Sequence, residues 1–127
     1  MRRRLVWLEA GALLLVAVPT TKLLPYRRVR QAAERWSSAL VTATDENPSV
    51  IGHTVERLGR RLPGSRCLDQ ALVAHFMLKR RALESKIVMG VQKSGEALAA
   101  HAWVESGPST VIGAAERDAF VRLGGTV

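Results

Sequence analysis

The chain carries a single cysteine, Cys67, and a histidine, His101, 34 residues after it in the run Ala99-Ala100-His101-Ala102-Trp103-Val104-Glu105. A thiol in the first turn of a helix, with an imidazole beside it, is a recurrent way to make a thiolate nucleophile. Both neighbours favour the ionised sulfur, which attacks acyl carbon. Pro63-Gly64-Ser65 stops the preceding segment just ahead of Cys67. Ser65 is placed to cap a helix that starts at Arg66, which puts Cys67 among backbone N–H groups that have no partner in the helix. Such N–H groups suit a thiolate or an oxyanion, and the charge of Arg66 adds to their field. Each residue also has a plainer reading. A cysteine on an apolar helix face is often an inert small hydrophobe, and a strand histidine is often a hydrogen-bonded core residue. Alternation along a strand puts His101, Trp103 and Glu105 on one face. The expectation is that this face meets the Cys67 helix and that Trp103 covers the pair. His75 falls about 12 Å along the same helix at 1.5 Å per residue. It therefore reads as a packed or partly exposed helix residue, and His53 as a surface one.

The elements that must position this pair follow from periodicity. Arg3 to Val18 reads as a first helix ended by Pro19. A second runs from Tyr26 to Thr42, with Val29, Ala32, Ala33, Trp36 and Leu40 at helical spacing. A turn at Asp45-Glu46-Asn47-Pro48 leads to a third helix from Ser49 to Leu62. The fourth, Arg66 to Ala82, is apolar over most of its circumference and reads as central. Asp69 in its first turn, and Lys79, Arg80 and Arg81 in its last, suit the helix dipole. Three short strands follow, Lys86–Gln92, Leu98–Glu105 and Thr110–Ile112. The tight turns between them imply an antiparallel meander. Trp7, Trp36 and Met77 are expected in the core. The fold class is α+β in one domain of residues 1–127, with a helical half (1–62) and a helix-plus-sheet half (63–127).

Composition narrows the function. At 127 residues the chain can bury a core without a staple. One cysteine allows no intrachain disulfide and fits a reducing cytoplasm. Three histidines without paired cysteines give no zinc spacing, and no Gly-rich nucleotide loop is present, so no metal or cofactor is expected. Residues 1–66 hold 12 Lys/Arg against 5 Asp/Glu, and residues 67–127 hold 7 against 6. A basic half of this kind attracts an acidic partner. Nucleic acid is not expected, because one Tyr and two Phe make no stacking platform among the cations. Arg2-Arg3-Arg4 before the apolar run Leu5–Val18 has the outline of a signal peptide. Glu9 interrupts the run, no small-x-small cleavage site follows, and ~14 residues fall short of the ~20 that span a bilayer. A buried or partner-facing helix is expected, with attachment to a membrane surface the lesser alternative.

Three segments in order, Ser65-Arg66-Cys67-Leu68-Asp69-Gln70-Ala71-Leu72, Ile87-Val88-Met89-Gly90-Val91 and Ala100-His101-Ala102-Trp103-Val104-Glu105, resemble the transglutaminase-like cysteine proteases of lasso-peptide biosynthesis. The resemblance is best over residues 62–113 and extends to Leu23-Leu24-Pro25-Tyr26-Arg27-Arg28-Val29. It implies a papain-like core, in which a helix bearing the nucleophile packs on an antiparallel sheet bearing the histidine. Cys67 then matches the nucleophile and His101 the base. It implies a leader peptidase that cuts a precursor peptide before macrolactam closure by a separate cyclase, helped by a separate leader-recognition protein. Such enzymes orient the histidine with an aspartate on the following strand. Here that place falls near Gly113, and the nearest acids are Glu116 and Asp118, with Glu105 on the histidine's own strand. Acyl transfer to an amine on the same scaffold, or a non-catalytic binding role, are the alternatives.

Overall fold

A computed structural model describes residues 2–39, 47–94, 97–107, 109–112 and 121–126. Four helices precede a four-stranded antiparallel sheet: α1 (Arg2–Leu23), α2 (Tyr26–Ala39), α3 (Pro48–Arg61), α4 (Cys67–Arg80), β1 (Lys86–Ser94), β2 (Ala97–Ser106), β3 (Ser109–Ile112) and β4 (Val121–Thr126). Strand order is β3-β2-β1-β4, so the strand that carries His101 lies inside the sheet. The α+β class holds. β4 is an addition to the expected three strands, and it covers the edge of β1.

Helix α1 runs through Pro19 to Leu23 instead of stopping at Val18. A proline inside a helix removes the N–H that would serve the carbonyl four residues back. Here that carbonyl belongs to Leu15, on the exposed side of the helix. The Thr20 hydroxyl serves the next one, donating to the Val16 carbonyl at 2.5 Å. Helix α3 starts from Asn47, whose side-chain oxygen accepts from the Ser49 N–H at 2.9 Å, with Pro48 in the first turn. It ends in a turn in which Ser65 N–H donates to the Leu62 carbonyl at 3.2 Å. Gly64 has φ of 81° there. Proline then glycine at the two centre positions is what a type II turn needs, and this turn aims the chain into α4.

Helices α1, α3 and α4 and strands β1, β2 and β3 share one core, and Tyr26 and Val29 of α2 pack against it. Val6, Ala10 and Leu14 of α1, Ile51 and Val55 of α3, Ala71, Ala74, Met77 and Leu78 of α4, Ile87 of β1, Ala102 and Val104 of β2, and Val111 and Ile112 of β3 are buried in one cluster. Helix α4 touches every other helix and β1, β2 and β3, so its reading as the central helix is right. Gly52 is what lets α3 lie on β3. A Cβ there would stand 1.9 Å from the Val111 carbonyl oxygen, so any side chain would push the two elements apart.

Two expected core residues are not core. Trp36 is 60% exposed. Trp7 is half-buried, with the Arg57 guanidinium 5.8 Å from its ring centre. Helical spacing identifies a face without telling whether anything covers it. Met77 is fully buried.

Candidate active site

Cys67 is the first residue of α4, and Arg66 is the N-cap, with extended backbone (φ −116°, ψ 165°). The expected Ser65 cap is not made. Ser65 Oγ instead accepts from Gln70 Nε2 at 3.5 Å. Arg66 has no acceptor atom, so its side chain leaves the first-turn N–H groups uncapped. These are the donors that the thiol, or an oxyanion bound beside it, would meet. Cys67 is half-buried, packed against the common core yet reachable from outside.

Asp69 holds this helix end in place. Its carboxylate is fully buried. Oδ2 accepts from the Arg66 backbone N–H at 3.0 Å, Oδ1 accepts from the Thr21 hydroxyl of α1, and the Arg66 guanidinium lies 3.7 Å away. An acid at the third helical position, bonded back to the N-cap N–H, is half of a capping box. The spacing Arg66-x-x-Asp69 carries that signal in the sequence, where the acid reads only as a partner for the helix dipole. The bond to Thr21, 48 residues away, has no sequence signal.

The same helix has a second polar anchor. His75 is buried at 2% exposure. Its Nε2 lies 2.5 Å from Glu34 Oε1 of α2, and its Nδ1 lies 2.7 Å from Ser85 Oγ in the turn before β1. Burial pushes the imidazole down, and the Glu34 hydrogen bond only partly restores it, so the ring sits below its ordinary value of 6.5. The neutral ring then donates from Nε2 to the carboxylate and accepts the serine hydroxyl at Nδ1. Burial pushes Glu34 up, but the bond and charge of His75 together with the charges of Lys79 and Arg30 outweigh it and hold the carboxyl below 4.5. His75 therefore belongs to the scaffold and is packed more tightly than expected. His53 is exposed, as expected.

His101 lies in β2 opposite Gly90 of β1. Glycine puts no cross-strand side chain beside the imidazole. The ring stacks on Trp103 with centroids 6.3 Å apart and planes 26° from parallel. Trp103 is fully buried and donates from Nε1 to Glu105 Oε2 at 3.0 Å. These three residues share a face of β2, as expected. The helix core, however, is built on the other face, through Ala102 and Val104 with their β1 partners Met89 and Ile87. Helix α4 thus packs on the strand of His101, while alternation directs the imidazole to the Trp103 side. His101 is half-buried. Glu116 and Asp118, the expected orienting acids, and Gly113 lie outside the described residues. Among the described residues no cluster of His, Cys, Asp and Glu could hold a metal ion.

A thiol at the head of a central helix, with a histidine on an inner strand of the sheet it packs against, is an arrangement suited to acyl chemistry through a thioester. A sequence profile for the transglutaminase-like superfamily matches residues 12–124, which takes in α4, β1, β2 and β3 whole. The superfamily includes cysteine proteases and acyltransferases and commonly works with Cys, His and Asp. No curated protein and no solved structure matches the chain. The match covers most of the sequence, and the chain belongs to the transglutaminase-like superfamily.

Proposed function

We propose that this chain is a cysteine protease that removes the leader from a ribosomally made lasso-peptide precursor, working in the cytoplasm with a separate leader-binding protein. The observation that carries the reading is Cys67 as first residue of α4, a helix packed on the strand of His101, inside the superfamily match. The resemblance of the Cys67, Ile87–Val91 and His101 segments to lasso leader peptidases supplies the substrate class.

In this reading His101 takes the Cys67 S–H proton and the thiolate attacks the last carbonyl carbon of the leader. The oxyanion accepts from the Cys67 backbone N–H at the head of α4. The C–N bond breaks, the imidazolium returns its proton to the departing amine, and the leader is left as a thioester on Cys67. Water then attacks the thioester carbonyl, which releases the leader acid and restores the thiol. The freed amine is the group that a cyclase needs. The mechanism requires the imidazole to come within about 3 Å of Sγ when substrate is bound. The register of β2 on β1 stays as it is, so side-chain rotation of His101 and Cys67, and not a slip of the strand, would have to close the distance. Glu116 or Asp118 would orient the ring. The basic helical half would dock the leader-binding protein.

The test is incubation of precursor and leader-binding protein with the wild-type chain or with Cys67→Ala, read by mass spectrometry. The reading predicts leader acid and free core from the wild type and neither from the variant. Equal processing by both would remove it. A product carrying an added amine instead of water would assign the chain to acyl transfer.

A further inference from the structure

Helix α1 has two faces of different fate. Val6, Ala10, Leu14 and Val18 are buried. Glu9, the only acid in α1, is engaged by Arg80 at 2.8 Å and Arg81 at 2.5 Å. At about 100° per residue, Leu5, Leu8, Ala12, Leu15, Val16 and Leu23 line the opposite side as a strip roughly 100° wide and about 27 Å long. The five large side chains in it are 62–82% exposed. No charge interrupts the strip, and exposed cations bracket it: Arg4 at one end, Lys22 at the other, and Arg27 and Arg28 at the start of α2. It continues sideways into an apolar groove where Val16, Trp36 and Phe76 meet. Aligned aliphatic side chains on this scale are rare on a soluble monomer.

We propose that the outer face of α1 seats the protein on an anionic membrane surface, with the helix axis parallel to the bilayer. The segment Arg4–Leu23, with mean hydropathy 1.4, is long and apolar enough to cross a membrane. Its buried face and the Glu9 ion pairs tie it to α3 and α4 instead, so only the strip is available to lipid. An apolar face bracketed by cations is the pattern of an in-plane helix. Its side chains enter the acyl boundary while Lys and Arg meet lipid phosphates. Trp36 at the margin is the residue type favoured at that depth. A second copy of the chain fits less well. Pairing two strips brings Arg4, Lys22, Arg27 and Arg28 of both copies together, with no acid on the strip to offset them. The Thr21–Asp69 hydrogen bond joins the buried side of the last turn of α1 to the first turn of α4, so a docked α1 leaves the Cys67 end on the side away from the lipid. The proposal does not depend on the protease reading.

The test is sedimentation of the full chain with vesicles of phosphatidylcholine alone, or with roughly one-third phosphatidylglycerol, at low and high salt. The double variant Leu8→Glu/Leu15→Glu is run beside it, with circular dichroism confirming its fold. Both positions are exposed, so the core is untouched. The expected result is binding to the anionic vesicles that weakens with salt and falls at least about 10-fold in the variant. Three results would overturn the proposal: no sedimentation with anionic vesicles, equal sedimentation of the variant, or a strip-dependent dimer in light scattering that ignores vesicles. Should the glutamates unfold the chain, Leu8→Ser/Leu15→Ser gives the same comparison with less perturbation.

Discussion

The head of α4 and the strand β2 hold their reactive groups by different physics. Cys67 sits at a helix end, where backbone donors are uncapped and position depends on side chains. One buried carboxylate, Asp69, ties that end to Arg66 and to Thr21 of α1, and His75 ties the same helix to Glu34 and Ser85. His101 sits in the ladder between β2 and β1, where nine consecutive residue pairs from Lys86↔Glu105 to Ser94↔Ala97 set the register. The thiol side can be displaced by removing one polar atom. The imidazole side is held by a cooperative backbone array that no single side chain controls. The difference teaches where the site is vulnerable: loss of an α4 anchor such as Asp69 should move the chemistry and the stability together, whereas loss of a single β2 side chain should leave the strand register in place.

The largest effect is expected from Cys67→Ala. Loss of the nucleophile should reduce precursor cleavage by at least about 10³-fold while the melting temperature stays close to wild type, measured by mass spectrometry and thermal denaturation side by side. Residual cleavage near the wild-type rate would make the thiol side a scaffold only.

Next comes the Asp69 clamp. Asp69→Ala strands the Arg66 N–H and the Thr21 hydroxyl and should cost about 3 kcal/mol in urea unfolding, as removal of a buried, multiply bonded carboxylate does. A loss below about 1 kcal/mol would show that the helix end is held by apolar packing instead.

Acid should act through the second anchor. His75 binds its proton more weakly in the folded chain than in the unfolded one, because burial disfavours the cation. As pH falls through 6.5 the unfolded chain takes up a proton that the native chain does not. Stability therefore falls from about that pH down toward the folded value of His75. Glu34 is depressed in the folded state and adds its own loss only lower, as pH drops through its folded value. Lys79 and Arg30 face the pair and further disfavour the imidazolium. Urea titrations between pH 7 and pH 5 should show this slope in wild type and a flatter one in His75→Gln. The same slope in both would reassign the acid sensitivity.

The smallest effect belongs to the sheet. Glu105→Ala leaves the buried Trp103 Nε1–H without the acceptor it has in the native chain and should cost about 1 kcal/mol. The strand register should stay intact, visible as unchanged amide-exchange protection along β1 and β2. Loss of that protection would mean that side chains, rather than the ladder, set the position of His101.

Much of this was legible in the sequence. Breakers at Pro25, Pro48 and Pro63-Gly64 and the helical spacing between them mark α2, α3 and α4 within a few residues. The β-branched run Ile87-Val88 and the alternation around Trp103 mark β1 and β2. Other features left no signal that local reading could use. β4 holds two glycines and an arginine in six residues, and tertiary pairing with β1 rather than propensity makes it a strand. Pro19 reads as a stop, but its missing N–H falls on the outer side of α1. Trp36 has the right spacing for the core but is 60% exposed. The first-turn position of Cys67 and the strand position of His101 were both readable. The face of β2 that α4 covers was not, since Ala102 and Val104 suit the helix seam as well as His101 and Trp103 do. The polar anchors Thr21–Asp69 and Glu34–His75–Ser85 join residues 10 to 48 positions apart, and pairing over such spans is decided by tertiary packing.

The central claim is that Cys67 and His101 act as one unit. Its most direct test is the rate of Cys67 alkylation by iodoacetamide at about pH 6, measured by intact-mass spectrometry for the wild type and for His101→Ala with the leader-binding protein and precursor present. The account predicts that loss of the imidazole slows alkylation at least about 10-fold, because the ring is what draws the proton from the thiol. Equal rates in the two proteins would contradict it.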